Sequence, residues 1–512
     1  MPATPSSAPN APTALTALPA TTLRRMIGAK EISPVELLEA CIARIEALNP
    51  AVNAIAAKAY ERARSEARAA EQAVLRGERL PRLHGLPVGI KDLQDTEGLL
   101  TTYGSPLYRN HVPARDSAQV ALVRAAGAIV VAKTNVPEFG AGANSRNPVW
   151  GATGNPFDPT LTAGGSSGGS AAALAIDMLP ICTGSDTGGS LRIPAAMCGV
   201  VGLRPSPGLI PMDGRPLGWT PISVLGPMGR TVADARLLFA AQVGVDSRDP
   251  LSRPLEPRAA AGGHLADLAD LAGLADLGSL RVAWSTDLGQ CPVSSEMRAV
   301  MRARMAAMRH LFRSADEVEF DFGEADRCFD IVRAQNFLAS HQERYDKQRD
   351  QLGPNIRANI ELASAMTLAD ATWAHAEQTR MFRRFQATFR DFDLVLAPTT
   401  AVSPFPWTQL YLEELEGRKL RNYYHWLALT YVPTLVTNPA ISLPCGVDAR
   451  GLPFGLQIIG RFGGDIELLD AAQAMEQAFA GIEGLARPLP DAAALGVARP
   501  ELKSIVTAAP AA

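Results

Sequence analysis

The 512-residue sequence is 47% hydrophobic and 20% charged, with a formal net charge of −3, a balance ordinary for a globular protein with a sizeable core. It offers no broad attraction for polyanions, so neither nucleic acid nor an anionic membrane surface is an expected partner. No uninterrupted apolar run reaches the roughly eighteen residues that a spanning helix needs, and the six cysteines are scattered without CxxC spacing, so they read as reduced, structural thiols.

The first 20 residues are rich in Ala, Pro, Ser and Thr and lack the basic start and apolar stretch of a secretory signal. Residues 1–20 therefore read as a flexible tail, with the cytoplasm as the expected location. From 22 to 56, Leu23, Met26 and Ile27, then Leu37, Leu38, Cys41, Ile42 and Ile45 recur at helical spacing. Ser33 followed by Pro34 supplies a helix start. The Ala-rich stretch 52–76 predicts a further helix, interrupted by Gly77 and Pro81. Residues 86–90 read as a short buried strand, and 117–126 as a helix feeding the apolar strand 128–132. Between 140 and 190, Gly, Ser, Thr and Asn surround one apolar segment, 171–181, the texture of a loop assembly or of a site. A strand at 279–284, an amphipathic helix at 295–313 and a strand at 393–397 resume the alternation. The pattern predicts one large α/β domain over 21–487, with the helices of 326–389 as a cap. Ala-Asp-Leu units at 259–278 have too short a period for a solenoid and read as a connector. The Ala/Pro-rich end, 488–512, is expected to be partly disordered.

Chemistry concentrates in two Gly-Gly-Ser elements that bracket the apolar segment: GGSSGGS at 164–170 and DTGGSLR at 186–192. Glycine leaves backbone amides sterically open, which a site needs in order to point several donors at one oxygen. A serine at the end of such a turn can attack the same carbonyl, provided a neighbouring base takes its proton. The seven histidines stand in no recognisable catalytic context and no GxSxG elbow is present. Lysine is the other candidate: Lys91 closes the apolar part of the run GLPVGIKD at 85–92, which carries its amine from a mostly apolar strand towards the interior, where burial depresses its pKa.

Together, GLPVGIKD, GGSSGGS and DTGGSLRIP resemble the three core elements of the amidase signature family, with Lys91 lying 75 residues before Ser166 and Ser166 lying 24 before Ser190. The likeness takes in most of 20–480, including Lys133-Thr134-Asn135, 226–235 and 438–444. Arg204 and Ser206 depart from it, standing where the family more often has Lys and Thr. The resemblance implies a central mixed sheet covered by helices on both faces and an amidase that makes an acyl-enzyme on Ser190. Ser166 is then the proton bridge, its preceding peptide bond often cis in the family, and Lys91 the base. The backbone amides of Thr187, Gly188, Gly189 and Ser190 form the oxyanion hole. Ser167, Asp186 and Arg192 are expected to support the site, and Gly140 to stand near the acyl pocket. Neither metal nor organic cofactor is implied, and the partner is a small carboxamide, an aryl amide or a carbamate. A homodimer is plausible by analogy, although no segment identifies an interface.

Blander readings stand beside these. Alone, a Gly/Ser-rich stretch is most often a flexible loop, and a Walker-type phosphate loop would need a GK[ST] that is absent. Lys91 in isolation would be a solvated strand-end lysine, and Asp186 with Arg192 a structural pair. Trp150, Tyr423, Tyr424 and Trp426 read as core. Two other functions remain open: the glutamine-hydrolysing component of a tRNA-dependent amidotransferase, recognisable by stable co-purification with partners, and an inactive scaffold, which the intact Lys91, Ser166 and Ser190 disfavour.

Overall fold

The structure is a computed structural model that describes residues 15–255 and 274–511. Its first helices follow from local chemistry. Helix α1 (Ala20–Gly28) buries Leu23 and Ile27, and α2 (Pro34–Val52) starts at a capping box. Ser33 Oγ accepts from Val35 N at 2.9 Å, and Ser33 N donates to Glu36 Oε2 at 2.8 Å, satisfying amides the helix itself leaves unpaired. Asn53, at φ 50°, ends α2 in the left-handed region.

Here the structure departs from the periodicity. Instead of one Ala-rich helix over 52–76, the chain makes a strand, β1 (Ile55–Lys58), before α3 (Tyr60–Leu75). Strand β1 pairs with a strand formed far downstream, and that pairing outweighs the helix preference of its alanines.

The rest of the sheet comes from β2 (Pro87–Lys91), β3 (Ile129–Thr134), β4 (Ile181–Asp186), β5 (Val201–Arg204), β6 (Val224–Gly229), β7 (Arg281–Trp284), β8 (Ser314–Glu317), β9 (Leu394–Pro398), β10 (Ala440–Val447) and β11 (Pro453–Ile459). Among the described residues these eleven strands form one mixed sheet in the order β1-β3-β2-β4-β6-β5-β10-β11-β9-β7-β8. The β3-β2-β4 group is parallel, β4 through β9 runs antiparallel, and β9-β7-β8 is parallel again. Strands β2 and β3 are buried along their whole length, as expected where both faces of a parallel sheet are covered. The predicted strands at 86–90, 128–132, 279–284 and 393–397 fall within a few residues of β2, β3, β7 and β9.

Helices α4 (Ala118–Ala125), α5 (Gly168–Ala175), α6 (Arg192–Cys198), α7 (Val232–Gln242) and α8 (Ser295–Met308) follow in the chain. The segment 326–389 folds as three helices, α9 (Ala325–Gln348), α10 (Pro354–Ser364) and α11 (Leu368–Thr388), and α12 (Ala428–Leu435) and α13 (Asp465–Phe479) complete the set. Tyr423, Tyr424 and Trp426 are buried in the core, as their composition suggested.

Both ends are packed where they are described. Of the tail placed at 1–20, residues 1–14 lie outside the described residues, whereas Ala20 is fully buried and Arg230 donates to the carbonyl of Thr16 at 2.6 Å. The connector at 259–278 lies almost wholly outside the described residues. The closing segment, expected to be partly disordered, is packed through Ala511: Leu502 is buried against Ala152 and Trp407, and the amides of Thr507 and Ala508 donate to Pro148 O. Buried Leu495 and Leu502 and paired amides hold this segment against the domain. No helix among the described residues is long and apolar enough to cross a membrane, and all six cysteines are buried and free.

Candidate active site

Lys91 is the last residue of β2, and the β2–β4 register, Gly89 opposite Cys182, sets it beside the end of β4. Its side chain is fully buried. Nζ lies 2.8 Å from Ser166 Oγ, 2.8 Å from Ser167 Oγ and 2.9 Å from Ser185 Oγ. Burial pushes its pKa down to about 7, against an opposing pull from Asp186. A neutral amine has two N–H groups and one lone pair, so one of these three hydroxyls must donate to Nζ when the lysine is uncharged.

Ser166 follows a cis peptide bond after Gly165 and is nearly buried, on the turn that leads into α5. Ser190 ends the turn between β4 and α6. Both serines line a cavity of about 370 Å³, together with Ser185, Thr187 and Gly140. Ser190 Oγ makes no hydrogen bond among the described residues, to Ser166 or otherwise; catalytic contacts commonly tighten only when substrate arrives.

The turn carrying Ser190 is held by Asp186. Its Oδ1 accepts from Gly189 N at 2.9 Å, Arg192 Nη2 at 2.9 Å and Arg204 Nη1 at 3.2 Å, and Oδ2 from Arg192 Nε at 3.0 Å and Leu191 N at 3.2 Å. Burial alone would raise the carboxyl's pKa, but the two guanidiniums hold it well below the usual carboxylate range. Arg192 carries the network onward to Gln457 Oε1 at 2.6 Å on β11 and Thr434 Oγ1 at 3.0 Å on α12. Thr430 of α12 donates to Gly188 O at 2.6 Å. Asp186 and Arg192 thus form a buried ion pair beside the site.

This geometry alters the expected oxyanion hole. Gly189's amide is already donated to Asp186, whereas those of Thr187, Gly188 and Ser190 donate to no acceptor among the described residues. Three of the four expected donors are therefore open and the fourth fixes the turn. Gly189 sits at φ +120°, and a Cβ there would lie 2.2 Å from Thr430 Oγ1, so the turn requires glycine.

Gly140, at φ +73°, comes close to Ser166: a Cβ on it would lie 3.4 Å from Ser166 Oγ and 3.0 Å from Leu93 Cδ1. Sequence reasoning missed Ser185, whose only signal is its place beside Asp186 at the end of β4, and Arg204, whose guanidinium is the second charge on Asp186. It also gave no guide to the opposite wall of the cavity, supplied by α9 through Arg333, Asn336, Phe337, Ser340, His341 and Arg344.

A family model described as Amidase matches residues 36–469. The chain is 35% identical over 465 residues to an acylamidase of Rhodococcus erythropolis, covering 90% of this chain and 95% of the relative. It is 34% identical over 479 residues to a glutamyl-tRNA(Gln) amidotransferase subunit of Anaeromyxobacter sp. (strain K), covering 88% and 94%. A crystal structure of a bacterial aryl acylamidase of the amidase signature family superposes with a TM-score of 0.83 at 27% identity, over 94% of this chain and 99% of that one.

Proposed function

The chain belongs to the amidase signature family, and on that premise we propose that it hydrolyses small carboxamides on its own, through an acyl-enzyme on Ser190. The observation that carries this reading is a fully buried lysine whose Nζ lies within 2.9 Å of three serine hydroxyls, two of them, on Ser166 and Ser185, belonging to residues of the cavity that Ser190 also lines.

In the proposed cycle, neutral Lys91 takes a proton from Ser166 as Ser166 takes one from Ser190, and the Ser190 oxygen attacks the amide carbonyl. The amides of Thr187, Gly188 and Ser190 receive the developing oxyanion, and Asp186 holds the turn rigid so that those donors need not reorganise. Ser166 returns its proton to the leaving nitrogen, and water then attacks the acyl-enzyme under the same base, releasing acid and restoring Ser190. Ser167 and Ser185 hold Nζ in place. Gly140 leaves room beside Ser166 for the acyl group, and the helices of 326–389 act as the cap that closes the substrate's side of the cavity.

Glutamine hydrolysis beside partner proteins is the competing reading, supported by the 34% identity to the amidotransferase relative. The cavity argues against it. The described residues lining it include no Asp or Glu, so although arginines there could receive glutamine's α-carboxylate, no side-chain carboxylate receives its α-ammonium. The test is to incubate the purified protein alone with aliphatic, aryl and peptide amides, carbamates and glutamine, with Ser190→Ala as control. Turnover of a non-glutamine amide that vanishes in the control supports the stand-alone reading, and glutamine-only turnover overturns it.

A further inference from the structure

The proposed cycle leaves the charge of the cavity wall unused. That wall is one face of α9, where residues 333, 336, 337, 340, 341 and 344 recur at helical spacing. Arg333 is only 6% exposed, yet it forms no ion pair among the described residues. Its Nη2 donates to Tyr423 Oη at 2.7 Å, and its buried Nε has no acceptor. The rings of Phe337, Tyr424 and Tyr423 stand 4.7, 5.0 and 5.6 Å from the guanidinium carbon. Asp330, the acid one turn earlier, is engaged by Arg421, Asn422 and Tyr424.

Arg344, half-buried, stands three turns along. It donates to Tyr108 Oη from Nη2 at 2.6 Å and from Nε at 3.1 Å, and from Nη1 to the carbonyl of Ser340, and lies 5.4 and 5.7 Å from the rings of Tyr108 and Phe139, again with no carboxylate partner among the described residues. His341, between them, packs on Phe139 and Phe337 and is held neutral, its pKa pushed down to about 3 by burial and by Arg344. Arg215, by contrast, is matched by Asp249 at 2.6 Å.

Aromatic faces offset part of the cost of burying a guanidinium, but they cover its faces and leave its N–H edge for an acceptor. A buried cation without an anion is costly, and an anionic ligand at that edge completes it with charge-assisted hydrogen bonds. We infer that this site selects amides that carry a carboxylate, which Arg333 and Arg344 receive on the α9 wall while the scissile carbonyl lies at Ser190. The inference rests on the amidase reading of the same cavity. Arg333 and Arg344 are binding groups in it and take no part in proton transfer.

The test separates binding from turnover. On a Ser190→Ala background, calorimetry measures binding of two carboxylate-bearing amides, succinanilate (carboxylate on the acyl side) and 4-acetamidobenzoate (on the amine side), each against its methyl ester. At least one carboxylate is expected to bind about tenfold or more tighter than its ester. Arg333→Gln or Arg344→Gln should erase that preference by weakening the carboxylate alone, and Arg333→Lys should retain part of it. Equal affinity, tighter binding of the esters, or no binding of either pair overturns the inference. Hydrolysis of the amide bond of all four compounds by the wild-type protein is scored separately. Absence of any such turnover with the binding preference intact would count against the amidase reading and leave the carboxylate site standing.

Discussion

The amide of Gly189 donates to Oδ1 of Asp186 across 2.9 Å, and this contact ties the backbone of the proposed nucleophile's turn to a carboxylate that also faces two buried guanidiniums. The bond settles how the turn is used. It removes one amide from the set available to an oxyanion and fixes the orientation of those on either side. It also makes the charge balance of the core and the shape of the site depend on one side chain, since Arg192 and Arg204 are both fully buried and both reach Asp186.

Asp186→Asn keeps the shape of the side chain but leaves two buried guanidiniums without their anion. Removing one partner of a buried ion pair costs about 3–5 kcal/mol, so a fall in unfolding free energy of that order is expected in urea titration. A loss of activity should accompany it even in the fraction that remains folded. A variant as stable as wild type would show that Asp186 does not hold this network.

Replacing Ser190, Ser166 or Lys91 by alanine should lower kcat/KM for any amide substrate by about 10³-fold or more, with melting temperatures near wild type for Ser190→Ala, whose hydroxyl has no partner among the described residues to lose. A hydroxyl-reactive phosphonate should label wild type and not Ser190→Ala. Wild-type turnover by a folded Ser190→Ala protein would remove Ser190 from the mechanism.

The pH dependence follows from Lys91. Its pKa lies at about 7 in the fold, below that of a free lysine, so the neutral base is present above about pH 7 and protonated below it. The rate kcat/KM should therefore fall about tenfold per unit as pH drops beneath that point and level off above it. A profile flat from about pH 8 to about pH 5, measured on protein that stays folded, would exclude lysine as the base.

Gly140→Ala adds a methyl group 3.4 Å from Ser166 Oγ, on a residue at φ +73°. The backbone conformation costs a non-glycine residue about 1–3 kcal/mol, and the methyl also narrows the space beside Ser166. A fall in kcat greater for bulky acyl groups than for acetyl is expected from steady-state kinetics on a substrate series. An equal effect on all of them would place the acyl group elsewhere.

Much of the fold was legible where neighbours in sequence decide the outcome. Ser33 announces the start of α2 because its cap and Glu36 lie within one turn, and the apolar runs at 86–90 and 128–132 become β2 and β3. Strand β1 was not legible: its alanines favour a helix and only β3, more than seventy residues on, supplies the pairing that makes a strand of them. The packing of the closing segment was not legible for the same reason, since the hydrogen-bond acceptor at Pro148 and the apolar contacts at Ala152 and Trp407 are remote in the chain.

The sequence by itself determined the chemical groups and their local backbone: a lysine ending an apolar strand, serines placed after glycines, and glycines where Cβ atoms would collide. The tertiary structure alone decided what those groups become. Lys91 is poised near neutrality because strands and turns 75 to 94 residues away close over it and bring three hydroxyls to its nitrogen. The amides open to serve the proposed oxyanion hole were reduced from four to three by a carboxylate whose orientation two arginines fix. The cavity acquired unpaired positive charge because one face of α9 packs opposite the serines. Desolvation and electrostatics depend on everything within a few ångströms in space, and residue order encodes that surrounding only through the completed fold.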